Sequence, residues 1–227
     1  MSKYGFVAVP RDVKQAIPNP KLPTPHLNTD IPTTKLAKFI TDYTREKLPV
    51  ETFNHLIRVY LYLKAIIADQ FPQWNLDDEV LYVTAMLHDI GQIKECMDAT
   101  KMLFEFYGGF LAHKLVTEHT GDRDFADAVC EAIIRHQDLG DLGFITTLGL
   151  IIQICTILDN VGLNPELIHK DTLDAVNKAY SRKGWLQCFA GSIDNENKHK
   201  PWGHTSKLGV DKFREDVLAN KLAYEKL

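Results

Sequence analysis

The stretch from Thr146 to Asn160 is apolar on nearly every side of a helix, and no other feature of the chain restricts the fold as strongly. A helix with one apolar stripe can lie at a surface, whereas one that is apolar all round has to be enclosed by other elements. Its apolar run, Leu148 to Leu158, is broken by Gly149, Gln153 and Thr156 and falls well short of the roughly 20 residues that a membrane span needs. The chain is therefore expected to wrap other elements around this segment and not to enter a bilayer.

The enclosing elements read as helices. Thr33 or Thr34 can cap a helix running to about Lys47, and Pro49 opens the next, which carries Leu56, Val59, Tyr60, Leu63 and Ile67 at spacings of three and four and ends at Pro72. Asp77 or Asp78 caps a third, closed by Gly91. A helix fits Lys101 to Glu118, interrupted or tightened at Gly108 and Gly109, and another fits Asp124 to His136. After Pro165 come an amphipathic segment from Asp171 to Tyr180, an aromatic-rich stretch around Trp185 and Phe189, a loop through Pro201 to Gly203, and a last charged helix from about Val210. No run alternates convincingly enough for a strand, so the expected fold class is all-α, a single-domain helical bundle.

Ahead of the bundle, residues 1–32 hold six of the ten prolines and sustain no helical or strand period, which predicts an extended arm. Tyr4, Phe6, Val7 and Val9 are more apolar than a solvated tail needs. The start of the arm is expected to pack on the body, residues 33–227, or on a neighbouring subunit of a homo-oligomer. With 26 Lys and Arg against 30 Asp and Glu, the chain lacks the basic excess that nucleic acid binding requires. Arg11, Asp12 and Lys14 stand where a signal peptide would need its apolar segment. Four scattered cysteines without a paired spacing suit a reducing compartment, so a cytoplasmic location is expected.

Polar residues at buried-looking positions point to chemistry. Met86-Leu87-His88-Asp89-Ile90-Gly91 puts an imidazole and a carboxylate side by side at the end of an apolar helix, where leaving them unpaired would cost several kcal/mol. His55 lies on the face of a core helix, and Asp159 comes near the end of the most apolar one. Each alone is explained by a hydrogen bond in the core, or for His88 by the helix dipole. Together they form a nitrogen and oxygen set that suits Zn²⁺, Fe²⁺ or Mn²⁺.

The order His55, then His88-Asp89, then Asp159 resembles the motif of the HD-domain superfamily of metal-dependent helical hydrolases. Within it, the chain is similar to the fungal cyanamide hydratases from Tyr4-Gly5-Phe6-Val7 to Lys200-Pro201-Trp202-Gly203-His204-Thr205-Ser206. Phe104-Glu105-Phe106-Tyr107-Gly108-Gly109, Ile134-Arg135-His136-Gln137-Asp138 and Ile145-Thr146-Thr147-Leu148-Gly149 match as well. The resemblance implies one zinc per chain on His55, His88, Asp89 and Asp159, and hydration of cyanamide to urea by a metal-bound hydroxide, with Asp89 holding that hydroxide. Relatives that cleave phosphoesters with two metals often carry a His-His pair where this chain has His136-Gln137, so His113 and His136 are assigned to the substrate pocket as proton donors. Lys101, Glu105 and Tyr107 are expected to line it. A deoxynucleoside monophosphate phosphohydrolase and a non-catalytic, metal-stabilised interaction domain are the competing readings.

Overall fold

Capping, apolar period and breakers place the elements in the computed structural model, which describes residues 3–220 and 222. The outermost ends of the arm and body, residues 1–2, 221 and 223–227, lie outside the described residues. In chain order the elements are β1 (Ala8–Pro10), α1 (Val13–Ala16), α2 (Lys35–Lys47), α3 (Val50–Gln70), α4 (Asp78–Leu87), α5 (Lys94–Ala99), α6 (Phe104–Thr120) and α7 (Arg123–Arg135). Then follow β2 (Phe144–Thr146), α8 (Thr147–Val161), α9 (Lys170–Ala179), α10 (Trp185–His199), α11 (His204–Lys207) and α12 (Val210–Leu218). The fold is all-helical apart from a two-stranded ladder, and no described helix is long and apolar enough to cross a membrane.

The helix starts follow from their caps. The Thr34, Asp77, Asp122 and Thr146 side chains accept backbone N–H groups in the first turns of α2, α4, α7 and α8. α8 is the central element: Leu150, Ile151, Ile152, Cys155 and Leu158 are fully buried, and the helix packs on α3, α4, α7 and α12. Trp185, Leu186, Phe189, Ile193, Phe213 and Val217 form a smaller apolar cluster of their own. It joins α10 and α12 into a cap that rests on α3 and α8.

Three features depart from the sequence reading. α6 runs through Gly108 and Gly109 without a break, because these glycines serve packing: a Cβ on Gly108 would meet the Gly91 nitrogen at 2.9 Å, and one on Gly109 would meet Ile134 at 2.7 Å. The aromatic stretch at Trp185 is itself a helix, α10, whose apolar face becomes legible only once α12 is there to cover it. β1 and β2 pair antiparallel, Val9 opposite Ile145, over three residues each, too short a run for alternation to register.

The arm lies along the body. Lys21 exchanges hydrogen bonds with the Gln70 side chain at 2.9 Å in each direction, Thr24 bonds Asp69, and the His26 N–H donates to Thr172 at 2.8 Å. Its start sits at the beginning of α8, where the Thr147 N–H meets the carbonyls of Gly5 and Val7 at 3.2 and 3.0 Å.

Candidate metal centre

Four chain segments deliver the polar residues to one buried point. α3 carries His55, the end of α4 carries His88 and Asp89, the end of α7 carries His136, and α8 carries Asp159. All five side chains are at most 4% exposed. His55, His88 and Asp89 present ligand atoms within 4.8 Å of one another. His55 Nε2 lies 3.1 Å from His88 Nε2, and Asp89 Oδ2 lies 3.6 and 3.4 Å from these nitrogens. His136 Nε2 approaches the other oxygen of Asp89 at 3.7 Å.

The bonding behind the rings explains why their Nε2 atoms converge. His55 Nδ1 donates to Asp159 Oδ2 at 2.6 Å, His88 Nδ1 to the Ala85 carbonyl at 2.7 Å, and His136 Nδ1 to the Ile133 carbonyl at 2.7 Å. His88 and His136 are built alike: each follows directly on its helix and bonds back to the carbonyl three residues earlier. With the proton fixed on Nδ1, each Nε2 offers a bare lone pair, the tautomer that a metal-ligating histidine takes. Burial pushes all three imidazoles down to about 4, so they are neutral at pH 7. Burial raises the Asp89 carboxyl, and Asp89 Oδ2 accepts no hydrogen bond among the described residues. Two bare lone pairs beside a buried, unsatisfied carboxylate oxygen, with a third against the other oxygen of the same group, are a costly arrangement unless a cation joins them. The residues fit a divalent metal.

Asp159 departs from its expected place. It stands behind His55, where one oxygen takes the His55 Nδ1–H and Arg58 Nη2–H at 2.6 and 2.8 Å and the other takes Arg58 Nε–H and Arg182 Nη1–H at 3.0 and 2.6 Å. Burial alone would raise this carboxyl, but Arg182 and Arg58, helped by His55, outweigh it and hold it well below the carboxylate range. A carboxylate so committed can fix the orientation of the His55 ring. His113 is not at the centre either: it is half-exposed on α6 and pairs with Asp127 at 2.9 Å. His136, expected in the substrate pocket, stands beside Asp89 among the candidate ligands.

The sequence reading missed Arg182, for which no local signal exists, and it assigned no role to Arg58. Arg58 had a signal: an arginine three residues after His55 on an otherwise apolar helix face needs a buried acid. Trp185, fully buried, stacks on the His55 ring with centroids 4.1 Å apart and planes 12° apart. The Phe104 ring meets His136 with centroids 5.5 Å apart. The cap and the first turn of α6 thus close the centre from water.

Residues 52–168, which include His55, His88, Asp89, His136 and Asp159, match the family model described as HD domain. Two curated proteins of Saccharomyces cerevisiae, cyanamide hydratase DDI2 and cyanamide hydratase DDI3, are each 53% identical over 225 residues, covering 99% of this chain and all of theirs. A family model spanning half the chain, two relatives aligned almost end to end, and a helical bundle that gathers histidines around an aspartate agree with one another: the chain belongs to the HD-domain family and groups within it with the yeast cyanamide hydratases.

Proposed function

We propose that this chain hydrates cyanamide to urea with one zinc ion held by His55, His88, Asp89 and His136. The observation that carries the reading is the convergence of three bare Nε2 atoms on Asp89, in a chain 53% identical to two cyanamide hydratases. A three-nitrogen, one-oxygen donor set suits zinc. When bound, the metal supplies Lewis acidity that lowers the pKa of water and polarises a nitrile.

The rest of the reaction belongs to the chain's own side chains. Asp159, fixed by Arg58 and Arg182, holds His55 in its working tautomer, and the two helix-end carbonyls do the same for His88 and His136. Asp89 would give the metal its Oδ2, which has no hydrogen-bond partner among the described residues, and its other oxygen can orient the attacking water toward the nitrile carbon. Trp185 and Phe104 keep bulk water out, which suits a substrate as small as cyanamide.

The nucleotide phosphohydrolase reading calls for cations directed at the centre. Arg58 and Arg182, both fully or almost fully buried there, face Asp159 instead. The four cysteines are unpaired, in keeping with a cytoplasmic location. A homo-oligomer is part of the same proposal, and light scattering tests it. The function is tested by quantifying metal in the purified protein and assaying urea from cyanamide. Urea formation that follows zinc content is the expected result; phosphate release from a nucleoside monophosphate without urea would replace this reading with the runner-up.

A further inference from the structure

Adding water across a nitrile gives first an isourea, and urea appears only when a proton leaves the oxygen and another arrives at the imine nitrogen. Of the two donors expected from sequence, His113 pairs with Asp127 on a half-exposed face of α6, and His136, like His55 and His88, has its Nδ1 proton tied to an acceptor. A further acid stands beside the centre. Gly91 packs so tightly on the first turn of α6 that a Cβ there would land on the Phe104 carbonyl, and the Phe104 ring meets His136 with centroids 5.5 Å apart, so the turn that carries Glu105 lies against the centre.

Glu105 is completely buried, yet neither of its oxygens takes part in a hydrogen bond with another described residue. Its neighbour Glu196 shows the contrast. Glu196 is also buried, but it accepts the Phe104 N–H at 3.0 Å on one oxygen and the Thr205 hydroxyl at 3.0 Å on the other. The only basic side chain within ion-pair distance of Glu105 among the described residues is His204, whose Nδ1 is 3.2 Å from Oε1 but not aligned for a hydrogen bond. His204 is 37% exposed, so it links this acid to solvent.

We propose that Glu105 is the catalytic acid-base that converts the bound isourea into urea, its two vacant oxygens engaging the N=C–O–H edge of the intermediate together. One carboxyl O–H bond breaks as an N–H bond forms at the imine nitrogen, while the isourea O–H bond breaks and its proton passes to the other carboxyl oxygen. C=N becomes C–N, C–O becomes C=O, and the acid ends protonated as it began. Burial pushes the Glu105 carboxyl up to about 8; Glu196 and Asp89 add to this, while the residue's own backbone N–H and Lys200 oppose it, so the acid holds its proton near neutral pH. This inference rests on the hydratase reading above.

The test compares metal-loaded wild type with E105Q, which keeps the shape and hydrogen-bonding capacity of the acid but cannot pass a proton. The expected result is a kcat at least about 100-fold lower, with KM for cyanamide within about threefold and with metal content and melting temperature unchanged. A folded, zinc-loaded E105Q that turns over within about threefold of wild type, or that changes only in KM, overturns the assignment. Should E105Q not fold, E105A is assayed with added formate: recovery of turnover by about tenfold or more supports the assignment, and no recovery overturns it. Wild type that makes no urea sinks the hydratase reading itself, an outcome distinct from an active wild type matched by an equally active E105Q.

Discussion

Asp159 shows how far a residue's chemistry can be read from sequence and where that reading stops. A carboxylate on the most apolar helix signals a buried partner, but whether that partner is a metal or a guanidinium depends on Arg182, 23 residues further on. His136 had a sign in the sequence, since like His88 it is an imidazole at a helix end, whereas His113 sits in mid-helix on a half-exposed face. These placements separate the effects of three substitutions. Asp159→Asn weakens metal affinity by about 10- to 100-fold, because His55 loses its anchor. It also destabilises the fold by about 3–5 kcal/mol, because two buried guanidinium groups lose their counter-charge; metal titration and denaturant melts measure both. Asp89→Asn abolishes stoichiometric metal binding and turnover while circular dichroism keeps its helical signal. His113→Ala, removing a surface pair, costs less than about 1 kcal/mol and leaves urea production within about twofold of wild type.

The metal-free protein carries a further residue-scale consequence. Three imidazoles that would titrate near 6.5 in the unfolded chain are pushed by burial to about 4 in the fold. Between these values the unfolded chain binds more protons, so the fold loses stability as pH falls from about 6.5 toward 4 and keeps it above 6.5. Thermal melts of chelator-treated protein at pH 7.5 and pH 5 are expected to show this drop. Bound metal competes with the same protons and shifts the loss to lower pH.

At the scale of elements, the decisive contact is backbone on backbone. Gly91 ends the His88-Asp89 turn, and Gly108 and the Phe104 carbonyl of α6 press directly on it. In the sequence these glycines read as a helix stop and a helix interruption, since only the position of α6 reveals that the missing side chains make room for close approach. The helices themselves were legible because capping and apolar period act within about ten residues; α5, α10 and the β1–β2 pair were not, because what stabilises them is distant in the chain. Gly91→Ala forces α6 away from the turn and is expected to cost about 1–3 kcal/mol, the range for overpacking. It also lowers turnover by moving Phe104 and Glu105, which a urea assay on folded, metal-loaded variant detects. Gly121→Ala is the control for local strain: that glycine is left-handed, with φ of 67°, but its Cβ would touch nothing.

For the whole molecule, α8 joins the arm to the chemistry. Its first turn exposes N–H groups that a helix cannot satisfy internally, and the arm's Gly5 and Val7 carbonyls meet the one on Thr147, while the Thr147 hydroxyl donates to Gly5 at 3.0 Å. β1 then covers Ile145, which is 2% exposed, on the strand just before the helix. Asp159 rides the same helix twelve residues on, about 18 Å along its axis at 1.5 Å per residue. Arm and metal centre therefore sit near opposite ends of one rigid element and share no ligand. Removing residues 1–32 uncovers buried apolar surface and leaves the Thr147 N–H unpaired, so melting is expected to fall by on the order of 5–10 °C, the shift that about 2–3 kcal/mol produces in a chain of this size. Metal stoichiometry should match that of the full chain in whatever fraction remains folded, because His55, His88, Asp89 and His136 keep their supports. A truncated protein that melts as the full chain does would mean that the arm's contacts contribute no net stability, and one that folds but cannot hold metal would mean that the arm acts on the centre through α8.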